Sequence, residues 1–266
     1  MMLRRSLLAT PALLLAAPAQ ALELPAEAAQ GGMLIGRGAQ GLRLSLEGRA
    51  IRVAPGGEFV LGFGRDHGPE AVLHITDAQG RASQRRIAVR PREWDVQRIQ
   101  GLPPAQVSPD AAALARITAE RQRLAAARAT DSARTGFLDG MAWPARGRIS
   151  GVYGSQRILN GEPRAPHFGL DVAGPVGTPI SAAMPGRVVL AGDFFFFGKL
   201  LVIDHGHGVH TLYAHLSAQH VGEGADVAKG QHVAAMGATG RVTGPHLHFS
   251  LGWYSTWLDP QPLLAG

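Results

Sequence analysis

The chain of 266 residues has no cysteine, and only two of its 26 basic side chains, Lys199 and Lys229, are lysines. Without cysteine there is no disulfide, no thiolate metal site, no cysteine nucleophile and no lipid-modified N-terminal cysteine. Dense basic runs interleaved with aromatics are missing, so nucleic acid is not an expected partner. No stretch after residue 21 is long and apolar enough to cross a bilayer. A Gly-x-Ser-x-Gly elbow is absent, which sets aside a serine hydrolase of that type. His-Glu-x-x-His is also absent, so no glutamate base stands in the usual zincin position. Charged residues make up 17% against 45% hydrophobic, which excludes a disordered chain. Glycine (35) and proline (18) are abundant instead, and together they favour short strands and turns over long helices.

Four segments are expected. Residues 1–21 have the layout of a secretory signal: Arg4 and Arg5, an apolar run from Ser6 to Pro18, then Ala19-Gln20-Ala21. That run is too short for a membrane anchor, so an exported protein without a stable anchor is expected, in the periplasm or, alternatively, outside the cell. Over 22–102 apolar residues alternate: Leu42, Leu44 and Leu46, then Phe59, Leu61 and Phe63, then Ile87 and Val89. Turn signals such as Pro55-Gly56-Gly57 separate them, and the pattern predicts an Ig-like β-sandwich. Residues 103–136 predict a connecting α-helix from a Ser108 N-cap, with Pro109 in the first helical position, to about Arg134. Its stripe of Leu114, Ile117 and Leu124 is thin, so it reads as a lightly packed spacer, with a lid or docking helix as the alternative. Over 137–266 strand-like runs at Pro179–Ala182, Arg187–Ala191, Leu200–Asp204, His210–His215 and His246–Leu251 predict a second β-rich domain, making the whole chain mainly β.

Nine of the eleven histidines lie between 167 and 248. His167 and Asp171 are four apart and His246 and His248 two apart, so in extended chain each pair faces one side. Two imidazoles and one carboxylate form a three-ligand set that leaves zinc an open position for water, as in catalytic sites. One carboxylate on a doubly charged ion leaves net positive charge, which suits a Lewis acid. The spacing does not choose which of His246 and His248 holds the metal.

Four motifs then carry a family resemblance over roughly 143–262. They are His167-Phe168-Gly169-Leu170-Asp171, Gly177-Thr178-Pro179 with Gly186-Arg187-Val188, Leu212-Tyr213-Ala214-His215-Leu216, and Thr243-Gly244-Pro245-His246-Leu247-His248-Phe249. In order and spacing they resemble the lysostaphin-type (LytM-type) zinc metalloendopeptidases. The resemblance implies a β-rich metallopeptidase domain with His167, Asp171 and His248 as Zn2+ ligands and His215 and His246 as catalytic histidines without metal. It implies hydrolysis of peptidoglycan crosslinks or stem peptides in cell-wall remodelling. The alternative is a non-catalytic regulator that binds cell-wall hydrolases or peptidoglycan. His205 matches a structural position, whereas His207, His210, His220 and His232 read as surface or turn residues. Ser250 stands where the family usually has an acid, a change expected to affect the orientation of His248. Phe194 to Phe197 read as core, with one pair lining the substrate groove as the alternative. The front domain and the helix are candidate docking surfaces for envelope proteins.

Overall fold

Short apolar runs cut by glycine and proline turns fold into a mainly β chain in the computed structural model, which describes residues 22–101 and 110–265. The expected signal stretch, Ser108 and Pro109 lie outside those residues. At the front, β1 (Glu27–Ala29), β3 (Arg43–Leu46), β4 (Arg49–Ile51), β6 (Glu70–Thr76) and β7 (Ala82–Arg90) form one sheet in the order β1-β7-β6-β3-β4. Only the β1–β7 pair is parallel. A separate antiparallel pair joins β2 (Met33–Gly36) to β5 (Phe59–Gly62). Leu44, Leu46, Leu73, Ile87 and Val89 are buried as the alternation predicts. β5 departs from it, because Val60 is as buried as Phe59 and Leu61. Its second face, shared by Val60 and Gly62, meets the rear of the molecule: a Cβ on Gly62 would lie 2.9 Å from Trp253 Cβ. One apolar core therefore runs from the front sheet into the back, and each fully buried Leu, Ile or Phe in it contributes ~1.5–3 kcal/mol.

The back is dominated by a ten-stranded sheet. Its centre runs through β14 (Gly186–Phe194), β15 (Gly198–Gly206), β16 (Val209–Gln219), β19 (His246–Trp253), β12 (Leu170–Ala173) and β9 (Arg148–Gly151). All five strand-like runs expected here are strands. β8 (Val96–Ile99), by sequence the end of the front segment, instead pairs in parallel with β10 (Gln156–Leu159), which also pairs with β11 (Glu162–Pro163).

Helix α1 (Ala111–Arg128) is capped by Asp110, whose side chain accepts from Ala113 N–H at 2.8 Å. It spans about 27 Å and stops six residues before the expected end. The chain beyond it is committed elsewhere: the Asp131 carboxylate takes two bonds from Arg52 and its carbonyl a third, and Ser132 Oγ donates to Asp204 at 2.6 Å. Leu124 and Ala127 pack in a small core with Leu190, Phe194, Leu200, Val202 and Leu212. Glu120 accepts from Phe195 N–H at 2.8 Å, which ties the helix to the turn after β14.

Two histidines expected at the surface are buried. His207 sits in the β15–β16 turn, 2% exposed, donating its N–H to the Ser132 carbonyl and packing on Phe137. His210, also 2% exposed, contacts Trp257 and Arg128. His220 and His232 are exposed, as expected, with their rings 4.7 Å apart. His205 is fully buried between the Pro185 carbonyl (2.8 Å) and Thr211 Oγ1 (2.7 Å). The turn that buries His207 depends on Gly206, at φ +96°, where a Cβ would overlap the Arg134 carbonyl oxygen. Gly206→Ala is expected to cost about 2–4 kcal/mol through backbone strain and displaced packing. A urea unfolding midpoint indistinguishable from that of the parent would contradict this.

Candidate active site

Strand pairing builds the site. β12 and β19 run antiparallel with Asp171 opposite His248 and Ala173 opposite His246. Residues directly across a ladder have Cβ atoms ~5 Å apart, so the Asp171 and His248 side chains meet. His246 and His248, two apart on β19, share a face. His167 reaches the same point differently from the same-strand argument: it precedes β12 and is held by backbone bonds with Ser155 (2.8 Å) and Gly154 (2.7 Å).

His167 Nε2, Asp171 Oδ1 and His248 Nδ1 form a triangle with sides of 3.0, 2.9 and 3.0 Å. All three residues are buried. A point ~2.0 Å from each vertex, the usual distance for a zinc bound by nitrogen and oxygen, lies about 1 Å off the plane of such a triangle. The protonation pattern also suits a cation. The Val152 carbonyl, 3.1 Å from His167 Nδ1, can only accept, so Nδ1 carries the proton and Nε2 offers a lone pair to the centre. Ser250 Oγ lies 2.9 Å from His248 Nε2. A hydroxyl can accept the Nε2 proton, leaving Nδ1 free to ligate, so the expected effect of the missing acid on orientation is partly offset by this contact. Arg157 Nη2 holds the outer oxygen, Asp171 Oδ2, at 3.3 Å. Without metal the two rings can instead turn a proton towards Asp171 Oδ1; burial pushes the Asp171 carboxyl up, but hydrogen bonds of that kind from His167 and His248 outweigh it and hold the group well below the usual carboxylate range. Burial, partly opposed by Asp171, brings His248 down to about 4.

His215 and His246 stand beside this triangle, their rings 4.8 Å apart. Each has its Nδ1 2.8 Å from a carbonyl, Thr239 for His215 and Gly244 for His246, so each donates there and leaves Nε2 as the free, basic nitrogen. His246 Nε2 is 3.9 Å from Asp171 Oδ1. Burial, followed by the neighbouring His248 and His246, lowers His215 to about 3, so it is a neutral base at neutral pH. His215 has a left-handed backbone, φ +63°, at an irregularity where β16 shifts register against β15. Such strain in a non-glycine residue is kept where surrounding structure enforces it, and the bulge turns the side chain towards the triangle.

Two contributors to the site carry no sequence signal of their own: Arg157, in the unremarkable stretch Gln156–Leu159, and the carbonyl of Val152. Of the four phenylalanines Phe194 is buried core, while Phe196 and Phe197 line a cavity of about 570 Å3 shared with His215, His248, Leu114 and Ile117, nearer the groove alternative than the all-core reading. Thus the first half of α1 walls the cavity while Leu124 and Ala127 in its second half pack on the sheet. Gly169 makes room for the triangle, since a Cβ there would lie 2.6 Å from His248 Cε1. Gly169→Ala is expected to push His248 out of register and weaken zinc binding by about 10–100-fold, measured by competition with a chromogenic chelator. Unchanged affinity would show that the ring position is set elsewhere.

The sequence model of peptidase family M23 matches residues 165–260, which include the triangle and both neighbouring histidines. The chain is 43% identical over 105 residues to the peptidoglycan DD-endopeptidase ShyA of Vibrio cholerae, covering 39% of this chain and 24% of that protein. It is 46% identical over 83 residues to the DD-carboxypeptidase/endopeptidase Mpg of Neisseria meningitidis, covering 31% of this chain and 19% of the relative. The chain thus matches about a quarter or less of these relatives' length. A solved structure from Pseudomonas aeruginosa assigned to peptidase M23 superposes with a TM-score of 0.68 at 27% identity, over 89% of this chain and 94% of that one. This likeness takes in the front sheets as well as the site.

Proposed function

The chain carries a peptidase family M23 domain, and from that premise we propose that it is an exported, zinc-dependent endopeptidase that cuts peptide bonds of peptidoglycan. The observation that carries this reading is the pairing of a three-donor triangle with two histidines whose basic nitrogens are both left free. We assign His167, Asp171 and His248 as the ligands and His215 and His246 as the catalytic pair. When bound, zinc would supply Lewis acidity toward a carbonyl and a water. His215 Nε2 takes the proton from the attacking water, its ring fixed by the Thr239 carbonyl. His246 Nε2, once it has taken up a proton beside the one its Nδ1 gives to the Gly244 carbonyl, donates towards the developing oxyanion or the leaving amine. Arg157 keeps Asp171 aligned and ionised.

Domain limits of 22–102, 103–136 and 137–266, with an Ig-like front unit and a signal segment at 1–21, belong to the same reading, as does a periplasmic or extracellular site of action. A regulator that binds without cutting would need neither His215 nor His246 to keep a free nitrogen, and their convergence supports the enzyme. The test is solubilisation of dye-labelled sacculi by the purified mature protein. Release that stops with a chelator and returns with zinc is expected. Binding of sacculi with no release under either condition would favour the regulator.

A further inference from the structure

His167 stands outside β12, and the turn of residues 152–155, which joins β9 to β10, fixes it at three points. Gly154 N–H donates to the His167 carbonyl (2.7 Å), and His167 N–H donates to the Ser155 carbonyl (2.8 Å). The Val152 carbonyl lies 3.1 Å from the ring's Nδ1. This turn is grasped in its turn by the front segment. Arg65 Nε donates to the Gly154 carbonyl at 2.7 Å, while its Nη1 pairs with Asp66. The Trp94 ring covers Gly154 so closely that a Cβ there would overlap it, and it meets the Tyr153 ring edge-on at 5.7 Å. Gly154, at φ +86°, therefore has two reasons to be glycine. Arg65 and Arg92 lie over the Trp94 ring at 5.2 and 4.6 Å, and Asp259 anchors Arg92 at 2.8 Å. One residue on, the Asp95 carbonyl accepts from Gln156 N–H at 2.7 Å, where β8 begins to pair with β10. From the back, Tyr153 Oη donates to the Trp257 carbonyl at 2.8 Å.

We propose that Arg65 and Trp94 are positioning residues of the metal site: through the 152–155 turn they hold His167 in place, so the front segment sets zinc affinity. The proposal rests on the ligand assignment above and adds what fixes the one ligand that strand pairing leaves unplaced. A ligating group must be held within ~0.5 Å of its working position. His167 is bonded to the turn at three points and moves with it, so a turn released from its front contacts carries the ring away from Asp171 and His248. The Tyr153 anchor remains in either variant, so the expected loss is partial.

The full chain is titrated with zinc against a chromogenic chelator, and separately with cobalt(II), whose visible absorption reports the geometry of its ligands. Trp94→Ala and Arg65→Met are each expected to weaken zinc binding about 10-fold, the lower end of the range for groups that orient a metal ligand, and to change the cobalt spectrum. Trp94→Phe restores an aromatic face over Gly154 and is expected to return both readings to those of the parent. Ile51→Ala loosens the front sheet at β4, the opposite end of the strand order from β1 and β7. It is expected to lower the melting temperature and leave zinc affinity and the cobalt spectrum alone. Unchanged affinity and spectrum in both Trp94→Ala and Arg65→Met overturn the proposal and leave the ligand assignment standing. An equal loss of zinc in Ile51→Ala also overturns it, since the effect is then general loosening. A parent chain that binds neither metal overturns the ligand assignment and the proposal together. Weakened zinc in the two variants, restored by Trp94→Phe, in a protein that cuts no peptide supports the positioning role and overturns the peptidase.

Discussion

His215→Ala is expected to retain one bound zinc per chain and to lose about 10²–10⁴-fold in turnover, the usual contribution of a positioned base. The reasoning is geometric. His215 contributes nothing to the donor triangle, whose edges run only between His167, Asp171 and His248. Its Nδ1 is committed to the Thr239 carbonyl, so the base is Nε2 alone. His248→Ala removes a vertex and is expected to lose zinc and activity together. Metal content by inductively coupled plasma mass spectrometry, alongside turnover of sacculi, separates the two variants. A His215→Ala protein as active as the parent would remove this residue from the mechanism. Loss of zinc from it would instead make it a ligand.

The second large effect is a fall in stability on mild acidification. Burial lowers His205 to about 4, and it lowers His210 to about 3 and, with its histidine neighbours, His215 to about 3. In the unfolded chain these imidazoles titrate near 6.5. From these three rings alone the unfolded state binds up to three more protons than the folded state between pH 6.5 and about 4, and stability falls as pH falls through that window. Each group contributes at most ~1.4 kcal/mol per pH unit, so the three together remove up to about 6 kcal/mol between pH 6.5 and 5. That is a large part of the ~5–15 kcal/mol that holds a typical domain. A melting temperature lower by ~10 °C or more at pH 5 than at pH 7 is expected. His210→Gln should flatten the slope by about one proton's worth, because its ring is buried against Trp257 and Arg128 and takes no part in the site. A melting temperature that does not change between pH 7 and 5 would mean that these rings are hydrated or already charged in the folded protein.

The convergence of the five residues proposed for the site was legible because each sits in a motif whose spacing survives folding: two alternate residues on β19, and a partner strand that sets Asp171 opposite one of them. The choice between His246 and His248 could not be read locally. It depends on cross-strand register, which pairs Asp171 with His248 and Ala173 with His246. Strands with one solvated face were legible from their alternation, whereas β5 was not, because Trp253 and Leu258, nearly two hundred residues later, cover its second face. His207 and His210 looked like turn and surface residues because glycine surrounds them in sequence. Their burial comes from Phe137, Ser132 and Trp257, which only the folded chain brings near. The helix end was misplaced for a similar reason: Asp131 and Ser132 favour their long-range partners Arg52 and Asp204 over another helical turn.

The measurement that bears most directly on the central claim is mass spectrometry of muropeptides from purified sacculi treated with three proteins: the zinc-loaded mature chain, the same chain stripped of metal, and zinc-loaded His215→Ala. The account predicts new peptide termini at one defined bond from the first protein alone. Identical muropeptide profiles from all three, with zinc bound in the first and third, would contradict it.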